Sequence, residues 1–385
     1  MKVAYIGDFL NHGGFLYTSG TPIVILLSLF EGVDSIEVFS PDSNRVIENF
    51  VPPSKVIINP FYRREDPFSI LKLLTVDWSI YDIVIFNMLP TGFGVGTVAN
   101  FFALMIPILL KRLWRNLVIK IIYHNSVYTN DIKSLGYRSA FDKFRSFFLK
   151  IVEKYIFKNI TTFVLLKLYK IRIDKTLKIN SVQVLDSKYL EAVTTVYLNN
   201  SMNLENIVFT KQRIPIILMH GSWGPQKNIE LGLAALKALK NKGVNFKLII
   251  SGGVNEHFPE YKIKFKKLLD IYSDVIDQYL GPITEREIMH LFLTTSLIIL
   301  PYNSPGGHSG VLEQAIFFEV PTVAIEFPEY KEQAAYSPNV ELVQKKDFTI
   351  ILTKMLEFAN QNREINIRSK ILIAKSNVEI LLNKG

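Results

Sequence analysis

The sequence predicts an α/β protein made of two doubly wound, Rossmann-like domains, each a parallel sheet covered by helices on both faces. Three observations carry this. Short Val/Ile-rich runs alternate with helical patterns along the 385 residues, and such continuous apolar runs, unlike alternating ones, belong to sheets buried on both faces. The runs form two series: "KVAYIG", "DIVIFN", "VIKIIYH", "TTFVLL" and "TTVYL", then "IPIILMHG", "FKLIISGG", "SLIILPY" and "PTVAIE". Between the series lies a polar stretch, "LNNSMNLENIVFTKQR", at residues 198 to 213, and 385 residues at 49% hydrophobic composition exceed what one core needs. The predicted division is 1–205, 206–360 and a terminal helix at 361–385 that returns toward the first domain. Ligands in such folds bind beyond the carboxyl ends of the strands, so two domains facing across a cleft would place the site in the loops that follow the strands.

At the N-terminus, "MKVAYIGDFLNHGG" reaches Asp8 too soon for a signal peptide and reads as an opening strand. Gly13 and Gly14 then either let the backbone approach a ligand or make a tight turn, with Asp8 and His12 beside them. The uncharged residues 83 to 110 have the length of a membrane span, but Asn87, Pro90, Asn100 and several glycines divide them into a strand, a Gly-rich loop and a helix of about a dozen residues. His124 follows the next strand. In "SAFDKFRSFFLKIVEKYIFK", Phe141, Phe144, Phe148, Ile151 and Tyr155 recur at helical spacing, with Lys143, Lys150 and Lys154 opposite. Residues 138 to 178 hold eleven Lys/Arg against three Asp/Glu, most of the net charge of +9. Such a helix either turns a solvated basic face outward or rests on an anionic membrane at the cytoplasmic face. No nucleic-acid recognition motif accompanies the charge.

The second half concentrates its signals in loops. After "IPIILM" come Gly221, Ser222 and, at a helix start, Lys227 and Asn228; after "FKLIIS" come Gly252 and Gly253. Gly281 and Pro282 precede a helix opening with a capping box from Thr284 to Glu287. "NSPGGHSGVLEQAIFFEVPT", residues 303 to 322, places Gly306, Gly307, His308, Ser309 and Gly310 directly before an apolar helix, an arrangement that exposes amide N–H groups to an anion. Zero cysteines exclude disulfides and thiolate metal sites, and the six histidines show no pair at metal-ligand spacing, so neither a metal nor a cofactor is implied.

These segments together resemble the GT-B nucleotide-sugar glycosyltransferases, most closely family 4, over nearly all of residues 214 to 335 and more loosely in "GDFLNHGG" and "IIYHN". The resemblance implies a nucleoside-diphosphate sugar donor and a glycan or lipid-linked sugar acceptor. By position Lys227 matches the family's phosphate-binding lysine, but the arginine expected five residues earlier is Ser222. Glu313 matches the second acid of a Glu-seven residues-Glu element whose first place holds Pro305. "GGHSG" is similar to diphosphate-binding loops of other GT-B enzymes, Glu332 stands at an acid used near the donor, and His124 stands where relatives place a histidine near the transferred sugar.

Residue chemistry agrees. A nucleoside diphosphate leaving group develops charge that amides at Ser309 and Gly310 and the ammonium of Lys227 would stabilise, and no Asp-X-Asp triplet offers a metal site. Glu313 would accept from ribose hydroxyls, or serve as a helix-dipole partner. The resemblance implies retention of anomeric configuration; an inverting reaction would need His124, His12 or Asp8 as base. Two alternatives share the fold: a nucleotide-sugar epimerase, and a sugar-nucleotide-binding scaffold that has lost activity through Ser222 and Pro305.

Overall fold

A computed structural model of the chain describes every residue except 8–19, 43–50, 64–65, 67, 89–96, 125, 130–141, 200–206, 256–257, 305–306, 360 and 385. Two compact units emerge, Met1–Leu190 with Ile373–Gly385, and Glu191–Leu372.

The first unit is a parallel sheet of seven strands: β1 (Lys2–Ile6), β2 (Ser35–Pro41), β3 (Val56–Tyr62), β4 (Ile83–Met88), β5 (Val118–Tyr123), β6 (Thr161–Val164) and β7 (Val182–Val184). Their order is β3-β2-β1-β4-β5-β6-β7. Helices α1 (Gly20–Ser28), α2 (Thr97–Leu113), α3 (Asp142–Asn159) and α4 (Lys167–Leu177) connect them. β4 is buried at every position, as a strand covered on both faces must be, and α1 is buried along its whole length.

The second unit opens with α5 (Ala192–Leu198) and β8 (Ile207–Phe209), then alternates β9 (Ile216–His220), α6 (Ile229–Asn241), β10 (Lys247–Ser251), α7 (Tyr261–Ile271), β11 (Gln278–Tyr279), α8 (Glu285–Thr294), β12 (Leu297–Leu300), α9 (Gly310–Phe317), β13 (Thr322–Ile325), α10 (Pro328–Ala334), β14 (Val340–Val343) and α11 (Phe348–Ala359). β15 (Arg363–Ile365) and α12 (Ile367–Val378) follow. The sheet order β11-β10-β9-β12-β13-β14 repeats the pattern of the first unit, and β15 pairs antiparallel with β8. The capping box at α8 forms as its sequence requires: Thr284 accepts from the Glu287 amide and Glu287 from the Thr284 amide.

Four expectations change. "TTVYL" is not a strand but part of α5, because the Thr195 hydroxyl donates to the buried carboxylate of Glu285 at 2.6 Å and ties α5 to α8. The same packing moves the division between units from residue 205 back to Leu190. The terminal segment joins the first unit only from Ile373, not 361, since β15 is held in the second unit by β8. Within the first unit, the buried ammonium of Lys120 in β5 donates to the carbonyls of Ile380 (2.9 Å) and Asn383, fastening that terminal segment.

The fourth change concerns α3. Its buried stripe is Leu149, Val152, Ile156 and Phe157, while Phe148, Ile151 and Tyr155, which the sequence suggests as the core face, are 41%, 51% and 36% exposed. The helix carries two apolar stripes at helical spacing, and the one beside Glu153 is taken inward because the Glu153 carboxylate is held by Tyr123 and Ser126. The side chains of Phe141, Lys143 and Phe144 lie outside the described residues. Ile83–Met88 forms β4 and Thr97–Leu113 forms α2, a longer helix than expected, while the Gly-rich loop expected between them lies outside the described residues; among the described residues no helix is long and apolar enough to cross a membrane.

β9 and β10 end in a backbone crossing that only glycine permits. Gly252 has φ +98°, and a Cβ there would lie 1.9 Å from the Gly221 carbonyl oxygen. Gly252→Ala is therefore expected to destabilise the second unit by more than about 2 kcal/mol, read as a lower denaturant midpoint, because neither backbone can withdraw from the sheet.

Candidate active site

Where strand order reverses, neighbouring loops diverge and leave a crevice. In the second unit the reversal lies between β9 and β12. The loop after β9 carries Gly221, Ser222 and Lys227; the loop after β12 carries Tyr302 and leads to α9. A backbone hydrogen bond from Asn303 N–H to the Gln226 carbonyl, 2.9 Å, joins the two loops.

Lys227 sits in a short 3-10 turn whose following residue, Asn228, adopts φ +43° before α6 begins. Lys227 is half-buried, and its ammonium lies 3.7 Å from the centre of the Tyr302 ring. Burial lowers its pKa to about 7, and among the described residues no carboxylate pairs with it. His220, whose Nδ1 is 2.8 Å from Ser251 Oγ, is kept neutral with a pKa of about 4 by burial and then by Lys227. The Ser222 hydroxyl is buried without a hydrogen-bond partner among the described residues.

α9 begins differently from expectation. Ser309 is its N-cap, with Oγ accepting from the Leu312 amide at 3.3 Å. The Ser309 N–H does not point to an open anion site: it donates to Gln333 Oε1 at 3.0 Å, and Gln333 Nε2 donates back to the Ser309 carbonyl at 3.2 Å. Gln333 comes from α10 and closes over this amide, which removes Ser309 from the amides available to a diphosphate and leaves Gly310 at the helix start.

Glu313 also departs from a free ribose acceptor. It is 4% exposed; Oε1 accepts from the Glu191 amide at 2.9 Å, and Oε2 lies 2.5 Å from His308 Nε2. Burial opposes charge on His308, but Glu313 first, then Glu191 and Glu332, outweigh it and raise the imidazole above its ordinary pKa. Glu332 itself lies in α10, half-buried. Gly307 adopts φ +101°, a conformation that favours glycine. Gly281, at φ +65°, accepts the Gly252 amide through its carbonyl at 2.5 Å. The second unit thus brings Ser222, Lys227 and Tyr302 together, and separately His308, Ser309, Gly310, Glu313 and Glu191. Tyr302 and Glu191 were not legible as site residues: one reads as the end of an apolar strand, the other stands 122 residues from its partner Glu313.

In the first unit the reversal lies between β1 and β4. His124, at the end of β5, has Nε2 2.5 Å from Asn87 Oδ1 and donates its amide to the Met88 carbonyl at 3.0 Å. Behind it, Glu153 accepts from the Tyr123 hydroxyl (2.8 Å), the Ser126 hydroxyl (2.5 Å) and the Val127 amide (3.2 Å), fixing the turn that follows. Burial raises the Glu153 pKa to about 7 against these hydrogen bonds. Asp8, His12, Gly13, Gly14 and Pro305 lie outside the described residues.

Two parallel-sheet units of this strand order fit the GT-B architecture. Residues 200–366 match the family described as glycosyl transferases group 1, which gives the chain a glycosyltransferase domain on a GT-B fold. Solved structures agree in fold. Sucrose-phosphate synthase from Thermosynechococcus elongatus superposes with a TM-score of 0.63 at 16% identity, covering 99% of this chain and 95% of that one. HepE from Anabaena, in complex with UDP-glucose, gives 0.62 at 11% identity, covering 99% of each chain. WaaG, a glycosyltransferase involved in lipopolysaccharide biosynthesis, gives 0.57 at 14% identity, covering 98% and 95%. At such identities the likeness is one of fold. No curated protein sequence matches the chain.

A cation is needed to meet an anion, and a pKa lowered to about 7 leaves the Lys227 amine about half protonated at pH 7 in the free protein and progressively neutral above it. Nucleoside diphosphate affinity is expected to fall by roughly tenfold or more between pH 7 and 9, because binding must then take up a proton. Isothermal titration at several pH values checks this; Lys227→Met should bind weakly and lose most of the dependence, leaving the part due to His308.

Proposed function

We propose that the chain transfers a sugar from a nucleoside-diphosphate sugar to a glycan or lipid-linked acceptor without a divalent ion. The observation that carries the donor reading is the half-buried Lys227 at the strand-order reversal, whose ammonium has no carboxylate partner among the described residues. A cation placed there without a counter-charge suits a ligand that brings its own negative charge, as a departing diphosphate does. The glycine-lined ends of β9 and β10 supply the close backbone approach. HepE, which shares the fold, binds UDP-glucose. Metal independence is supported by the absence of an Asp-X-Asp triplet from the sequence. The family 4 resemblance supports retention, with His124 near the transferred sugar; its hydrogen-bonding distance to Asn87 gives the imidazole a set orientation. Glu332 and the backbone at Gly252, Gly281, Gly307 and Gly310 complete the donor site in this reading.

Thermal unfolding with UDP, GDP and ADP in the presence of EDTA tests it. One diphosphate should raise the melting temperature without added metal, and Lys227→Ala should abolish most of that rise. Stabilisation that requires a divalent ion counts against the assignment.

For the acceptor, α3 supports work at an anionic membrane. Phe147, Phe148 and Ile151 are 60%, 41% and 51% exposed, with Lys150, Lys154 and Lys158 exposed among them. Arg112 of α2 stacks over Tyr155 at 5.7 Å, and Leu113 beside it is 62% exposed. Aromatic and basic side chains interleaved on one face suit the headgroup region of an anionic bilayer. The protein is expected to co-sediment with phosphatidylserine-containing vesicles at low salt. Phe147→Ala combined with Ile151→Ala should lower that binding by about fivefold while leaving diphosphate binding unchanged. Equal binding to neutral vesicles would remove the membrane from the reading.

A further inference from the structure

The diphosphate reading leaves one charge unaccounted for. Ser222 stands where a second cation is expected, and a serine hydroxyl brings no charge. The structure shows what stands beside Lys227 instead. Tyr302, the second residue after β12, is 1% exposed, and its hydroxyl makes no hydrogen bond among the described residues. An enclosed hydroxyl without a partner is unfavourable to folding, so its retention asks for a ligand.

The ring is set from two sides. The Lys227 ammonium lies 3.7 Å from its centre, and the Tyr330 ring meets it edge-on with centres 6.3 Å apart. The hydroxyl is directed toward a place left open by a glycine. A Cβ on Gly221 would lie 3.6 Å from Tyr302 Oη and 3.7 Å from Val311 Cγ2, ordinary contact distances, so the missing side chain leaves a slot with room for one atom of a ligand. Gly221 has φ +143°, which disfavours any other residue and keeps the slot open. Val311 belongs to the first turn of α9, so the slot lies between a phenol and the end of a helix that favours negative charge. The buried, unpartnered Ser222 hydroxyl belongs to the residue after Gly221.

We propose that Tyr302 is a diphosphate-binding residue of this enzyme, whose hydroxyl donates to a phosphoryl oxygen seated in the slot beside Gly221. With the Ser222 hydroxyl it replaces the second cation by neutral donors, while its ring holds the Lys227 ammonium in place. Burial raises the phenol's pKa, so it stays a donor across the neutral range. The inference rests on the donor reading above and adds a residue that neither the family resemblance nor the sequence pattern assigns.

The test compares the wild type with Tyr302→Phe, which keeps the ring and its cation contact. Titration calorimetry in EDTA buffer uses UDP, GDP and ADP and the corresponding nucleosides. For the diphosphate that binds the wild type, Tyr302→Phe is expected to weaken binding by about fivefold to tenfold, leave the nucleoside unchanged, and leave the melting temperature of the free protein equal or higher. Ser222→Ala should show a smaller loss of the same kind. Equal diphosphate affinity in Tyr302→Phe, or an equal loss for the nucleoside, overturns the role of Tyr302 while the donor reading stands. If no diphosphate binds the wild type, the donor reading itself fails.

Discussion

A half-buried ammonium that faces an aromatic ring, with no carboxylate partner among the described residues, is an unusual thing for a fold to retain, because desolvation weakens its charge and the ring returns only part of that loss. Lys227 occupies this position, and the surrounding chain is shaped to hold it there. The αL residue Asn228 turns the backbone from the 3-10 turn into α6, the Asn303 amide ties the turn to the loop after β12, and Tyr302 supplies the ring. His220, the nearest titratable neighbour in β9, is driven neutral, so it neither competes for an anion nor compensates the cation. In the proposed donor reading, a ligand's own charge supplies the partner that Lys227 lacks among the described residues. That is the sense in which the site is prepared: a fixed partial interaction is completed by the ligand's own charge.

The start of α9 follows another logic. Its carboxylates and imidazole are satisfied within the unit, through Glu313 with His308 and the Glu191 amide, and through Gln333 with both backbone groups of Ser309. Such a network fixes the glycine-rich loop ahead of the helix. In the proposed donor reading it would serve a ligand by placing Gly307 and Gly310 rather than by offering the Glu313 carboxylate itself. A buried pair of this kind is costly to break on one side, which argues for a supporting part rather than a mobile one. In the first unit Glu153 plays a comparable part, gathering one amide and two hydroxyls so that the turn after His124 has a single arrangement.

Much of the architecture was legible without coordinates because its signals are local. Val/Ile runs specify buried parallel strands at whatever place they occupy, and "IPIILM", "FKLIIS" and "SLIIL" each became one. Thr284 and Glu287 form their capping box because both partners lie within one turn. Gly252 is required by its own φ, and Lys227 was legible from its place after a strand and a glycine turn. What misled were segments whose local preference is weak. "TTVYL" has β-branched residues yet becomes helical, since Thr195 meets Glu285, 90 residues away in the chain. On α3 two apolar stripes compete, and only the carboxylate of Glu153, held from β5 and the turn after it, decides which one turns inward.

The sequence by itself determined the class of fold, the strand-loop-helix places where a donor could bind, and the presence of a lysine with no arginine to assist it. Tertiary structure alone decided which polar groups are already engaged and which are left open. The Ser309 amide and Glu313 carboxylate are engaged, by Gln333, His308 and Glu191; among the described residues the Tyr302 and Ser222 hydroxyls find no partner. The physical reason is that hydrogen-bond satisfaction depends on partners brought in from other strands and helices, and no spacing along the chain records which of them arrives.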